Sequence, residues 1–200
     1  INETYQEKEQ TNNTYNGKHI VITISREYGS GGRFVGRLVA EKLGLPFYDK
    51  ELISLSAKES GLSEEYVKMT DEKKKSASYT NNNDDRLFIA EQKVIEKLAK
   101  SSCVIVGRCA DYILKDNKDA IKIFLYSDSK SKEKRAIKYY GLNSKTALRK
   151  IDKINKERSK HYKFYTNREW KDFSNYDLSF NVDKYGVEKT AENIINIIEK

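Results

Sequence analysis

ITISREYGSGGRFVGR, residues 22–37, is the stretch on which the fold turns. It continues a β-branched run of strand length, HIVITIS at residues 19–25, straight into a cluster of glycines. A helical pattern follows at once, with Val35, Leu38, Val39 and Leu43 on one face and Gly44 and Pro46 closing it. Gly29, Gly31 and Gly32 let the backbone turn tightly with several N–H groups facing inward. The next helix offers its positive dipole end to the same point. A glycine-rich junction alone also fits a plain turn. Its position between the first strand and an amphipathic helix favours a phosphate cradle, and Arg26, Arg33 and Arg37 add positive charge.

Outward from this junction, strand and helix signals alternate. A short strand at residues 46–48 leads to Asp49, a helix at 50–58 and another starting near Ser63. Residues 70–85 read as a polar, turn-rich stretch. Leu87, Ala90, Val94, Ile95 and Leu98 then recur at helical spacing, with an end near Lys100. Strands are expected at 103–106, running into Gly107 and Arg108, at 121–126 and at 178–182. Val187, Ala191, Ile194, Ile195 and Ile198 mark a last amphipathic helix. The alternation predicts a parallel sheet covered on both faces, a three-layer α/β/α domain. Residues 1–17 are polar, lack periodicity and read as a flexible tail.

Composition narrows the classes. The 200 residues suffice for one domain with a core. No run approaches eighteen apolar residues, so no membrane span is expected, and no apolar signal core points to secretion. Cys103 and Cys109 are too few for a disulfide framework or a four-ligand zinc site, and His19 and His161 too few for a histidine-rich one. A reducing cytoplasm is the expectation. Residues 128–172 carry a local excess of +9, against a net charge of +8 for the chain, so the entire positive excess sits in one segment. That segment calls for an anionic partner, a polyanion or a polyphosphate.

The glycine loop departs from the general phosphate-loop pattern G-x-x-x-x-G-K-[ST]. Aligned on Gly31, the pattern places its first glycine at Arg26, its lysine at Gly32 and its hydroxyl residue at Arg33. The lysine that bridges the β and γ phosphates is missing, and Arg33 or Arg26 must supply that charge. The magnesium hydroxyl falls to Ser30 or Ser25. A side chain at position 31 is expected to fill the space the phosphate needs.

Together, SREYGSGG, FYDKEL and VIVGRCADYIL resemble the cytidylate kinase-like family, relatives of the nucleoside monophosphate kinases, and the likeness spans residues 18–200. The resemblance implies a P-loop NTPase fold with a five-stranded parallel sheet and a helical lid at roughly residues 142–172. It also implies ATP and Mg2+ as cofactors, a small-molecule nucleotide as substrate, and the acceptor phosphate on Arg108. The donor contacts would come from Arg26, Gly29, Ser30, Gly31, Gly32 and Arg33. Asp49 has two readings, a magnesium or acceptor contact at the carboxyl edge of the sheet or an N-cap for the helix after it. Ser30 and Asp49 are thus the metal candidates.

Phosphoryl transfer relies on cations around the moving group, and Arg149, Lys153, Arg158 and Lys160 can deliver them from a closing lid. Arg158, in mid-lid, is the candidate for a catalytic role beside Arg33 and Arg108, while Arg149 and Lys153 fit substrate phosphate. The lid is expected to project away from the sheet. Tyr162, Phe164, Tyr165 and Trp170 fit either stacking on nucleic-acid bases or pinning of the lid to the core, and the second suits a domain of this size. Three functions follow in order: an ATP-dependent kinase acting on a nucleoside monophosphate such as CMP, a nucleotide-binding regulator without turnover, and a single-stranded nucleic-acid binder. A homodimer is compatible with any of them.

Overall fold

In a computed structural model the described residues are 14–49, 82–107 and 109–199. The helices expected at 50–58 and from Ser63, most of the polar stretch 70–85, and Arg108 lie outside them. The elements are β1 (Val21–Arg26), α1 (Gly32–Leu43), β2 (Phe47–Tyr48), α2 (Asn82–Leu98), β3 (Cys103–Ile105), α3 (Ala110–Ile113), β4 (Ala120–Tyr126), α4 (Ser129–Tyr140), α5 (Ala147–Thr166), β5 (Leu178–Asn181) and α6 (Val182–Ile198). A short 3-10 turn, Phe173–Asn175, precedes β5.

The five strands form one sheet in the order β2-β3-β1-β4-β5, and every pairing in it is parallel. β1 sits at the centre, with Val21 level with Cys103 on one side and Ala120 on the other. A central strand is covered on both faces, which is why the stretch reads as a nearly continuous apolar run. Its odd and even positions serve different cores. Ile22 and Ile24 join Val35, Val39 and Leu43 of α1 and Ala191, Ile194 and Ile195 of α6. Val21 meets Val94 and Ile95 of α2, with Ala110 of α3, Cys103 and Ile105. Each such aliphatic side chain contributes about 1.5–3 kcal/mol by leaving water.

One glycine sets how close α1 comes to the sheet. A Cβ on Gly36 would lie 2.8 Å from Val106 Cγ2 and 3.0 Å from Ile24 Cδ1, so the helix packs against the strands across a bare backbone. This close approach brings the start of α1 to the carboxyl edge of β1.

Several boundaries differ from expectation for local reasons. α2 begins at Asn82, so the end of the stretch read as polar turn is helical; Asn and Asp suit a first helical turn. β5 ends at Asn181, whose side chain accepts from the Asp183 N–H and caps α6. α6 is interrupted at Gly186, which has φ 77° and ψ 171°. At the other end, Tyr15 bridges Lys18 across a tight turn, and its hydroxyl donates to Glu199 Oε1 at 2.5 Å. Tyr15 and its turn, within the residues read as tail, are therefore tied to the end of α6.

The segment read as a lid is helical over α5, but it does not project away from the sheet. Its final turns carry Tyr162, which packs with Trp170 and Tyr176 around Phe124 of β4. Trp170 meets Phe124 edge-on at 5.4 Å. Aromatic side chains of this size carry too much apolar area to leave in water, so they draw the segment down onto the sheet. Tyr165 stacks on Phe88 at 3.9 Å, whereas Phe164 stays half-exposed.

Candidate functional site

The loop between β1 and α1 lies at the carboxyl edge of the central strand, where parallel sheets gather ligand sites. Gly29 and Gly31 adopt left-handed backbone angles, φ 79° and 89°. Gly31 is the N-cap of α1; it provides no side-chain cap, and the first turn holds no acidic residue. The leading N–H groups of a helix have no partner within it, and here they follow directly on a glycine turn. That arrangement suits an anion.

The glycines have separate reasons. A Cβ on Gly29 would meet the carbonyl oxygen of Lys132 at 2.7 Å, so α4 lies against the loop. A Cβ on Gly31 would find only ordinary contacts, Val187 Cγ2 at 3.4 Å and Arg135 Nε at 3.5 Å. The protein's own atoms therefore leave room for a side chain at position 31, and within the chain its requirement for glycine comes from the left-handed φ. Ser30 turns inward and donates its hydroxyl to the carbonyl of Glu27 at 2.8 Å.

Around this loop the structure gathers cations. Arg33 Nε lies 2.8 Å from Asp49 Oδ2, and Arg26 Nη2 lies 3.7 Å from Asp49 Oδ1. Asp49, next after β2, thus faces Arg26 at the end of β1 and Arg33 in the first turn of α1; the capping role expected for it concerns residues outside those described. Arg158, on α5, donates to the carbonyl of Arg26 at 2.9 Å and lies over the Tyr28 ring at 5.6 Å. The Tyr28 N–H donates to Asn155 Oδ1 at 2.7 Å, a second clasp between loop and α5. Arg37 lies over Phe47 at 5.2 Å instead of serving the loop. Arg149, Lys153 and Lys160 are exposed on α5. Arg108 belongs to the residues not described.

Glu27, Arg135 and Asp111, which sequence reasoning missed, complete the setting with their partners. Glu27 is buried in the loop and binds Lys132 Nζ at 2.8 Å and the Lys171 ammonium. Burial pushes its carboxyl up, but the hydrogen bonds from Lys132 and Lys171 outweigh that and hold it below the ordinary carboxylate value. Arg135 on α4 donates to Ser127 Oγ at 2.7 Å and to Asp183 Oδ1 at 3.1 Å, tying α4 to the start of α6 beside Gly31. Asp111 at the start of α3 is buried and accepts from Ser25 Oγ at 2.9 Å and from the Tyr162 hydroxyl at 2.7 Å. Burial raises its value despite those two bonds. Ser25, one of the two hydroxyls considered for magnesium, is thereby directed to Asp111. Among the anonymous lysines of a basic segment, nothing in sequence singled out Lys132 or Lys171.

Next to the loop opens a cavity of about 350 Å³ lined by Phe34, Arg135, Lys138, Tyr139 and Val187, among others. It combines aromatic and apolar walls with cations, a composition suited to a flat ring that carries phosphate. Among the described residues no group of three or more His, Cys, Asp or Glu is placed to hold a metal. Magnesium fits such a site when phosphate oxygens and water supply most of its ligands. No helix of the described residues is long and apolar enough to cross a membrane.

Known proteins share this architecture. The model of the cytidylate kinase-like family matches residues 21–184. A cytidylate kinase of Archaeoglobus fulgidus is 29% identical over 182 residues, covering 89% of this chain and 94% of that protein. The crystal structure of a Eubacterium ventriosum protein is similar with a TM-score of 0.72 and 34% identity, over 90% of this chain and 99% of the other. Shikimate kinase from Bacteroides thetaiotaomicron shares the fold at a TM-score of 0.59 and 15% identity, over 90% and 99% of the two chains.

Proposed function

The chain belongs to the cytidylate kinase-like family, and on that premise we propose that it transfers the γ-phosphoryl group of ATP to a nucleoside monophosphate such as CMP, in the cytoplasm and with Mg2+. The observation that carries the reading is the uncapped start of α1 behind left-handed Gly29 and Gly31, ringed by Arg26, Arg33 and Arg158. Bound there, ATP supplies the phosphoryl group, and the protein supplies position and charge. The loop amides and arginines hold the phosphates. The cavity at Phe34 and Tyr139 receives the donor base. Arg33 and Arg26 neutralise charge on the phosphate oxygens, and α5, already resting on Tyr28 through Asn155 and Arg158, excludes water from the loop.

On the acceptor side the proposal assigns Arg108 to the acceptor phosphate, since a guanidinium fork matches phosphate geometry, with Arg149 and Lys153 as further cations. Ser30, whose hydroxyl donates to the Glu27 carbonyl, and Asp49, paired with its arginines, are the residues that would hold magnesium, which would neutralise charge on the donor phosphates. The test is a panel of nucleoside monophosphates and small alcohols with ATP and Mg2+, read as ADP release. Release that depends on a pyrimidine monophosphate is the expected result. ATP binding with no release for any acceptor would replace this reading by that of a regulator without turnover.

A further inference from the structure

The loop departs from the phosphate-loop pattern at three positions, 26, 32 and 33, and the first two of them touch. Arg26 stands where the pattern has glycine, and Gly32 where it has lysine. A Cβ on Gly32 would lie 2.6 Å from the Cβ and 2.9 Å from the Cγ of Arg26. The volume in which the usual lysine side chain begins is filled by the stem of the arginine. Lysine at 32 beside arginine at 26 would overlap, and glycine at both positions would leave the loop without this cation.

We infer that Arg26 and Gly32 form a single exchange, in which the last residue of β1 delivers to the donor phosphates the cation that the first residue of α1 delivers in the usual loop. The assignment rests on the donor reading above and goes further by separating Arg26 from Arg33. Arg33 is rooted one position beyond the lysine and is held by Asp49 at hydrogen-bond distance, 2.8 Å. Arg26 Nη2 stands 3.7 Å from the same carboxylate, an ion pair without a hydrogen bond at that atom. Burial lowers the pKa of Arg26 despite the nearby Asp49 charge, the mark of a desolvated cation that an anion would stabilise. Its carbonyl accepts the Arg158 bond, so the residue is also where α5 meets the loop.

The test uses the wild type, Gly32→Lys, Arg26→Gly, the double variant Arg26→Gly with Gly32→Lys, and Arg26→Met, which keeps the stem and removes the charge. Melting without ligand reads the steric exchange: Gly32→Lys should lower the melting temperature, and much of that loss should vanish in the Arg26→Gly background. Calorimetric titration with MgATP reads the charge. Arg26→Met and Arg26→Gly should each weaken binding about tenfold or more, the scale of one lost charge-assisted hydrogen bond, and the double variant should recover most of it. Strictly additive melting shifts would overturn the exchange. ATP affinity unchanged in Arg26→Met would overturn the cation role while leaving the kinase reading intact. A wild type that binds no ATP would defeat the donor reading, and the phosphate role of Arg26 with it.

Discussion

Replacing Glu27 by Gln removes one charge from the best-buried ionic group beside the loop. Glu27 is 5% exposed and the Lys132 side chain 10%, whereas Lys171 is 55% exposed. Leaving one partner of a buried pair uncompensated costs about 3–5 kcal/mol. Gln still accepts a hydrogen bond, and Lys171 can turn to water, so the cost falls below that range, to about 2–3 kcal/mol. For a domain of this size the expected drop in melting temperature is about 5–10 °C at pH 7. The pH dependence carries a sign. Because the folded-state value of Glu27 is depressed, its contribution is present above the ordinary glutamate value and is lost as pH falls through the depressed one. The gap between wild type and Glu27→Gln should therefore narrow below about pH 4.5. Taking the difference cancels Asp111, whose raised value gives a dependence of opposite sign. Scanning calorimetry of both proteins from pH 7 to about pH 2 is the assay. A shift under 1 °C at pH 7, or a gap that widens on acidification, would refute the reasoning.

Gly36→Ala should destabilise by about 1–3 kcal/mol through overpacking against Val106 and Ile24, with denaturant midpoints as the readout. Gly29→Ala should lose nucleotide affinity in calorimetric titration, because the left-handed backbone and the Lys132 carbonyl both oppose a side chain. Tyr162→Phe leaves buried Asp111 short of one donor and should cost about 1–3 kcal/mol, measured by thermal melting.

The fold was legible because its signals are local. Val21 to Arg26 is β-branched and continuous because both faces of β1 are covered, and α1 shows its buried stripe plainly. The glycine loop was legible for a similar reason: left-handed backbone demands glycine at 29 and 31. What stayed hidden depends on distant partners. Nothing near Glu27 in sequence announces Lys132 and Lys171, more than one hundred residues away. Gly32 looked like a lost lysine until its contact with Arg26 gave that loss a reason. The basic segment was read as a projecting arm because its charges dominate the composition, yet Tyr162 and Trp170, 1% and 3% exposed, determine where it rests.

The central claim is that the loop from Glu27 to Gly32 holds a triphosphate donor for transfer. The most direct measurement incubates the protein with MgATP labelled in its γ-phosphate and CMP, then resolves the nucleotides. Label should appear in CDP, with Gly29→Ala abolishing the transfer. Label found only in ATP, or released as inorganic phosphate at the same rate with and without any monophosphate, would contradict the account.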